Sequence, residues 1–251
     1  MALRNLGSRP NLPALTLTKL SIKTSSITAI AADAAKVNKA KTIYKSSRGV
    51  NWFRPVVDAL RGLSGPGEFC MYCSANEPTH LDHYKPIAHF PESAMTYENF
   101  LWTCDICNHV HKQDRFPPKT ETGEPILNPI DDNVWEHFII DEVFGRLIPR
   151  IDANTRLPFP RAESTRRIVG IDRETVQVRR QKRFTQLKAQ VEQLIKAVQE
   201  NAVPTTNLAG KIQEMTDEPY QIDVADYYLK GTGKEREPFK TLFVLAETST
   251  L

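Results

Sequence analysis

The stretch "CMYCSANEPTHLDHYKP", residues 70–86, places a Cys-x-x-Cys pair nine residues ahead of an Asp-His pair. A second pair follows after a gap of 30 residues, and these two pairs contain all four cysteines of the chain. With no secretory hydrophobic segment in the sequence, such pairs favour metal binding over disulfides. Four thiolates suit the tetrahedral coordination of a closed structural Zn²⁺ site. The spacing therefore predicts a structural zinc ion bound by Cys70, Cys73, Cys104 and Cys107. The alternative is two unrelated pairs of buried thiols.

The segment between and after the cysteine pairs predicts two strands and a helix. "THLDHYKP" predicts a short strand that ends at Pro86, and "NFLWTC" predicts a second strand, rich in aromatic and apolar residues. "DICNHVHKQDRF" predicts a helix with Asp105 as its N-cap and Pro117 as its stop. The order strand, loop, strand, helix predicts a small zinc-stapled module over residues 67–118.

This module resembles the HNH endonucleases, whose fold is called ββα-metal. The resemblance rests on an Asp-His pair followed closely by proline, here Asp82, His83 and Pro86. It also rests on an asparagine just before an apolar strand, Asn99, and on another directly after the last cysteine, Asn108. These elements occur in the family's order, whereas an isolated Asp-His pair would carry little information.

The resemblance implies a division of labour in phosphodiester hydrolysis. His83 would be the general base, because a neutral imidazole accepts protons near pH 7. Asn99 would orient the ring of His83. Asp82 and Asn108 would hold a catalytic cation, and their oxygens suit Mg²⁺ or Mn²⁺ better than zinc. Because neighbouring strand residues point to opposite faces, the strand must bend if Asp82 and His83 serve one site.

The predicted helix departs from the family pattern. Asn108, His111 and Lys112 are three and four residues apart and share one face of a regular helix. Many relatives have lysine where this chain has His111. His111 is therefore a candidate metal ligand, replacing or supplementing Asn108, or a phosphate contact. The remaining histidines near the module are interpreted as surface, packing or structural side chains: His80, His89 and His109.

The rest of the chain predicts an α+β fold in which the ββα-metal module is embedded in a mostly helical chain. We expect an N-terminal helical segment packed on the nuclease (1–66), linker strands and basic helices (119–200), and C-terminal helices with a docking tail (201–251). Helices are predicted at 28–44, 52–63, 206–216 and 222–230, and strands at 137–141 and 145–151. The apolar end of the chain, 238–251, predicts either an edge strand or a docking tail.

A basic stretch lies between Ser164 and Arg183, where seven basic residues accompany two acidic ones. This pattern is compatible with phosphate contacts along nucleic acid and equally with a solvated helix face. The basic residues are Arg166, Arg167, Arg173, Arg179, Arg180, Lys182 and Arg183. A 3,4,3,4 repeat then predicts a core or partner-facing helix, formed by Phe184, Leu187, Val191, Leu194 and Val198.

A second, looser resemblance extends beyond the module. "RFP", "ILNPIDD", "HF" and "STRRIVGIDRETVQVRR" are similar to the PtuB nucleases of Septu anti-phage systems, which are also encoded with some retrons. The resemblance implies an ATPase partner of the PtuA kind. It also makes the repeat helix and the tail candidate docking surfaces for that partner.

Composition sets broad limits on the function. The chain is 40% hydrophobic and 25% charged with a net charge of +3, so any nucleic-acid surface must be local. No apolar run approaches the roughly 18 residues of a membrane span, and a cytoplasmic location without membrane contact is expected. We expect a metal-dependent HNH endonuclease acting on DNA, with homo- and hetero-oligomers both open. The alternatives are a zinc-stapled nucleic-acid or protein adaptor with a vestigial site, and a stand-alone restriction-type HNH nuclease.

Overall fold

The computed structural model describes residues 6, 8–65, 67–74, 78, 80–217 and 222–247. The chain is mostly helical with two small antiparallel sheets, which confirms the coarse α+β class. The helices are α1 Ala14–Thr28, α2 Asp33–Ser47, α3 Arg54–Leu63, α4 Pro160–Val169, α5 Glu174–Gln199, α6 Leu208–Asp217, α7 Ile222–Ala225 and α8 Phe239–Glu247. The strands are β1 His80–His83, β2 Phe100–Thr103, β3 Phe138–Ile140 and β4 Leu147–Pro149. Within the described ranges, no helix combines the length and the apolar character needed to cross a bilayer.

The first sheet and the turn after it form the predicted strand–strand–helix order. β1 and β2 pair with His80 opposite Thr103 and His83 opposite Phe100. The regular helix predicted after β2 is wrong, because Ile106–Lys112 forms a π-helical turn instead. The N–H of Gln113 donates to the carbonyl of Asn108, five residues earlier, at 2.6 Å. We call Ile106–Lys112 the π-helical turn.

Two details of the predicted helix are also corrected. The side chain of Asp105 makes no capping hydrogen bond, because its carboxylate contacts two histidines instead. The turn ends at Lys112 and not at Pro117, because the next residue, Gln113, adopts a positive φ of 50°. The wider turn changes which side chains share a face, with consequences for the candidate site below.

The N-terminal helices pack on the first sheet. The helix predicted at 28–44 lies at Asp33–Ser47, and α1 was not predicted at all. Pro13 does not prevent α1, because it stands immediately before the first helical residue, where a missing N–H costs nothing. The Tyr44 hydroxyl donates to the carbonyl of Leu81 at 3.1 Å, which ties α2 to β1. The predicted second helix is confirmed as α3, after a short 3-10 turn at Asn51–Phe53.

The second half of the chain packs around α5. Its predicted strands are confirmed as β3 and β4. The apolar repeat predicted at 184–198 lies on the buried face of α5, where Ile195 is more buried than Leu194. The predicted edge strand at the end of the chain is wrong, because 239–247 forms α8. Phe239 of α8 is buried and stacks on Tyr228, with ring centroids 4.6 Å apart. Residues 248–251 of the predicted tail lie outside the described residues.

The junction between α4 and α5 requires glycine. Gly170 has a φ of +64°, and a Cβ built on it would lie 2.5 Å from the ring of His111. A left-handed conformation costs a non-glycine residue about 1–2 kcal/mol even without such a clash. We expect Gly170→Ala to lower the free energy of unfolding by at least about this amount, measured by urea denaturation.

The matched control is Gly62→Ala within α3, where nothing lies within 4 Å of the added Cβ. There alanine is expected to leave stability unchanged or to raise it by up to about 1 kcal/mol, since it is the better helix former. Equal stabilities of the two variants would contradict the argument for the junction.

Candidate metal centre and active site

The four cysteines converge. Cys70, Cys73, Cys104 and Cys107 are buried and outside any disulfide, and their sulfur atoms all lie within 4.8 Å of one another. The Cys73 and Cys104 sulfurs are 3.9 Å apart. A tetrahedral zinc ion with Zn–S bonds of about 2.3 Å would place its sulfurs about 3.8 Å apart. The predicted convergence is confirmed, and the four residues could bind a metal such as zinc.

Backbone and side-chain N–H groups donate to three of the four sulfur atoms. The N–H of Cys104 donates to Cys70 Sγ at 3.2 Å. Arg173, at the start of α5, donates to Cys107 Sγ at 3.4 Å and to Cys73 Sγ at 3.5 Å. Hydrogen bonds from the other thiols, foremost Cys104, and the charge of Arg173 hold the pKa of Cys73 well below its usual range. A guanidinium here also offsets the net negative charge of a metal ion with four thiolates.

Two further arginines of the basic stretch are also inside the fold. Arg180 is fully buried and donates to the carbonyl of Ile171, and its Nε lies 3.6 Å from Asp223. Arg183 donates to Asp223 at 2.8 Å and to the carbonyl of Ser74 at 2.9 Å. These contacts remove both, together with Arg173, from the surface expected to contact phosphate. Of the seven basic residues, four are exposed: Arg166, Arg167, Arg179 and Lys182.

An open cavity of about 660 Å³ lies beside the first sheet. Three of the sequence-predicted site residues line it together: Asp82, His83 and Asn108. Exposed cationic side chains from α2 and the segment after it, Lys41 and Arg48, also line it, as does the exposed carboxylate of Asp114. The cavity is therefore large enough for a small ligand or part of a polymer, and its lining carries one more cationic side chain than carboxylates: Lys41, Arg48 and Lys112 against Asp82 and Asp114.

His83 is held as a neutral imidazole. Its Nε2 lies 3.0 Å from the carbonyl of Ala94, which can only accept, so Nε2 carries the proton and Nδ1 is free to accept one. The ring packs edge-on against Tyr44 and Phe100, with centroids 4.4 Å and 5.0 Å away. Burial lowers the pKa of His83 to about 4, against a weaker opposing effect of the Ala94 hydrogen bond. The side chain is thus uncharged at neutral pH, with Nδ1 unprotonated, as a general base must be.

Asp82 is buried between two donors. The Tyr72 hydroxyl donates to its Oδ2 at 2.9 Å, and Lys112 Nζ donates to its Oδ1 at 3.1 Å. Lys112 is fully buried and also donates to the carbonyl of His83 at 2.7 Å. Burial raises the pKa of Asp82, and the charge of Lys112 opposes that rise. A cation that binds Asp82 therefore competes with Lys112 for Oδ1.

The hydrogen bonds of the Asn99 side chain go to loop backbone and not to the ring of His83. Its Oδ1 accepts from the N–H of Lys85 at 2.7 Å, and its Nδ2 donates to the carbonyls of Lys85 and Ser93, both at 3.0 Å. These bonds close the loop that leads from β1 to Ala94, whose carbonyl holds His83. Asn99 is thus placed to position His83 through the loop backbone.

His111 does not reach the cavity. Asn108 and Lys112 line it, but the ring of His111 lies against Gly170 at the α4–α5 junction. With hydrogen bonds to the fifth residue, residues four apart stay on one face and the residue three apart turns away. The π-helical turn therefore keeps Lys112 at the cavity with Asn108 and turns the candidate ligand His111 away from it.

Three contributors to the site were missed from the sequence. Tyr72 supplies a hydrogen bond to Asp82, and Tyr44 packs on His83. Asp105 faces His80 and His109 at the edge of the cavity, where both histidines line it. The position of Tyr72 between two cysteines and the i,i+4 spacing of Asp105 and His109 were signals in the sequence.

No protein-family model matches this chain, and neither a curated protein nor a solved structure matches it.

Proposed function

We propose that this protein is a metal-dependent endonuclease of the HNH type that hydrolyses DNA phosphodiester bonds. One observation carries the proposal: a buried, neutral His83 shares a cavity with the oxygen-bearing side chains of Asp82 and Asn108. This is the combination of a proton acceptor and hard metal ligands that phosphodiester hydrolysis requires. DNA as the substrate is taken from the family resemblance.

The donor set separates two kinds of metal. The four cysteine sulfurs suit zinc, which would hold the module together. Asp82 and Asn108 offer oxygen, which suits Mg²⁺ or Mn²⁺. When bound there, such a cation would polarise the phosphate and stabilise the leaving oxygen.

The chain's own residues move the proton and bind the anion. His83 Nδ1 accepts a proton from the attacking water, while the Ala94 carbonyl keeps the ring in the required tautomer. Lys112, when released from Asp82 Oδ1, offers its charge to a phosphate oxygen. Lys41 and Arg48 attract the polyanion to the rim of the cavity.

The proposal extends to an ATPase partner, as the Septu resemblance implies. The apolar face of α5 packs within the chain, so a docking surface on this helix would use its exposed polar side. A stand-alone restriction-type nuclease would share the same chemistry without that partner.

Cleavage of supercoiled plasmid by the zinc-loaded protein tests the proposed function. We expect nicked or linear products with Mg²⁺ or Mn²⁺ and none with EDTA. A parallel series adds an ATPase of the PtuA kind, the partner that the resemblance implies. If the folded protein fails to cut in both series, and binds DNA equally with and without Mg²⁺, the adaptor alternative replaces the nuclease.

The pH dependence of cleavage tests the state of His83. A lowered pKa means that the folded protein binds this proton weakly, so the neutral base persists to lower pH. At pH 5.5 an imidazole with the ordinary value of 6.5 is only about one-tenth neutral, whereas one with a pKa of about 4 is almost entirely neutral. At saturating Mg²⁺ we expect the rates at pH 5.5 and 7.5 to agree within about twofold. A roughly tenfold fall at pH 5.5 would indicate an unshifted base.

A further inference from the structure

A second group of metal-ligand side chains lies at the mouth of the cavity. His80 Nε2 is 3.3 Å from Asp105 Oδ1, and His109 Nδ1 is 2.6 Å from the same oxygen. One ligand atom from each of the three residues lies within 4.8 Å of the other two. The two imidazole rings meet edge to face, with centroids 4.6 Å apart. We call His80, Asp105 and His109 the mouth cluster.

The fold holds these three residues together from two directions. His80 begins β1 and pairs with Thr103 on β2. Asp105 follows Thr103 by two residues and therefore lies close to His80. His109 follows Asp105 by four residues and is brought beside it by the π-helical turn. Cys104 and Cys107 lie on either side of Asp105 in the sequence, so the cysteine cluster that organises the module also restrains this backbone.

The donor types indicate which ion the mouth cluster would take. Two imidazoles and one carboxylate provide the three protein ligands of many transition-metal sites and leave positions open for other ligands. Imidazole nitrogen favours Zn²⁺, Co²⁺ or Ni²⁺ over Mg²⁺. The side chains are between 37% and 58% exposed, so an ion can enter without unfolding the module.

We propose that His80, Asp105 and His109 form a binding site for a divalent transition-metal ion of the zinc class. This site is distinct from the four cysteines and from the Asp82 and Asn108 pair. Without the ion, a ring N–H of His80 or His109 donates a hydrogen bond to Asp105. On binding, the ion takes the place of that proton. Because His80 and His109 line the cavity, the ion's open positions are available to a phosphate there. That role, unlike the binding itself, rests on the proposed nuclease function.

Cobalt binding to the zinc-loaded protein tests the proposal without nucleic acid. The full chain is first saturated with Zn²⁺ at the cysteines and freed of excess metal. It is then titrated with Co²⁺ by calorimetry in the presence of about 10 mM Mg²⁺. The Mg²⁺ occupies the oxygen ligands of Asp82 and Asn108, so that Co²⁺ does not bind there. We expect about one equivalent of Co²⁺ to bind, and binding to weaken at least about tenfold in His80→Ala and in His109→Ala.

The matched control is His89→Ala, which removes a half-buried histidine of the same module from outside the cavity lining. It should bind Co²⁺ as the wild type does. Three results would overturn the proposal: no Co²⁺ binding by the wild type, binding that is unchanged in both mouth-cluster variants, or an equal loss in His89→Ala. Zinc content and thermal unfolding of each variant show whether the module remains folded. Because no DNA is present, the outcome does not depend on whether the chain is a nuclease.

Discussion

Replacing His83 by alanine is expected to abolish metal-dependent DNA cleavage while zinc content is retained. His83 is the one buried neutral imidazole among the residues that line the described cavity, and its Nδ1 has no proton to donate. Loss of a general base lowers rates by about 10²–10⁴-fold. The measurement is plasmid cleavage under single-turnover conditions, with zinc determined on the same samples. His89→Ala, which alters a histidine outside the cavity, should cleave at the wild-type rate.

The alanine variant also removes packing, because the His83 ring contacts Tyr44 and Phe100. Such a loss in a core is expected to cost about 2–4 kcal/mol of stability, so thermal unfolding must be measured beside activity. His83→Gln supplies a second variant that keeps polar volume but lacks a basic nitrogen. Cleavage by a folded His83→Gln protein at the wild-type rate would exclude the base role.

Removing zinc is expected to unfold the module around the candidate site. Structural zinc sites of this kind contribute roughly 10 kcal/mol or more, as much as the whole stability of many domains. Cys104→Ser should therefore lose the metal and the native near-ultraviolet circular dichroism of the aromatic residues around β2. Because Arg173 and Arg183 join α5 to the cysteine-bearing segments, the loss should extend to the contacts of that helix.

Ile106→Ser is the matched control, since it changes a partly exposed residue of the same Cys-x-x-Cys pair without removing a sulfur. It should retain one zinc ion and the wild-type spectrum. A chelator should reproduce the Cys104→Ser result in the wild type, and added Zn²⁺ but not Mg²⁺ should reverse it. A native spectrum in zinc-free Cys104→Ser would show that the cysteines do not organise the fold.

Local sequence pattern was sufficient for much of the frame of the site. The spacing of the cysteines predicted their convergence, and the two strands, one before Pro86 and one after Asn99, were found where expected. Both predictions depend on residue type and spacing within one short segment, and they need no knowledge of distant parts of the chain. The pattern also predicted the amphipathic repeat of α5, because apolar residues three and four apart must face the same neighbour on a helix.

The errors arose where a backbone detail or a distant partner intervened. The wider π-helical turn after Cys104 was enough to turn His111 away from the cavity while Asn108 and Lys112 stayed there. The charge run at 164–183 did not reveal that Arg180 and Arg183 meet Asp223, about 40 residues away, inside the fold. Periodicity reports the side chains of one segment and contains no information about which other segment covers them.

The sequence by itself determined which chemical groups this protein has and in what order: four thiols, an Asp-His pair and the asparagines Asn99 and Asn108 within one short module. Only the tertiary structure decided which neighbours each group meets. It directed Asn99 to the loop backbone, placed the Ala94 carbonyl against His83, and brought Lys112 to Asp82. The physical reason is that protonation, metal affinity and orientation depend on burial and on neighbours within a few ångströms, and those neighbours come from segments far apart in the chain.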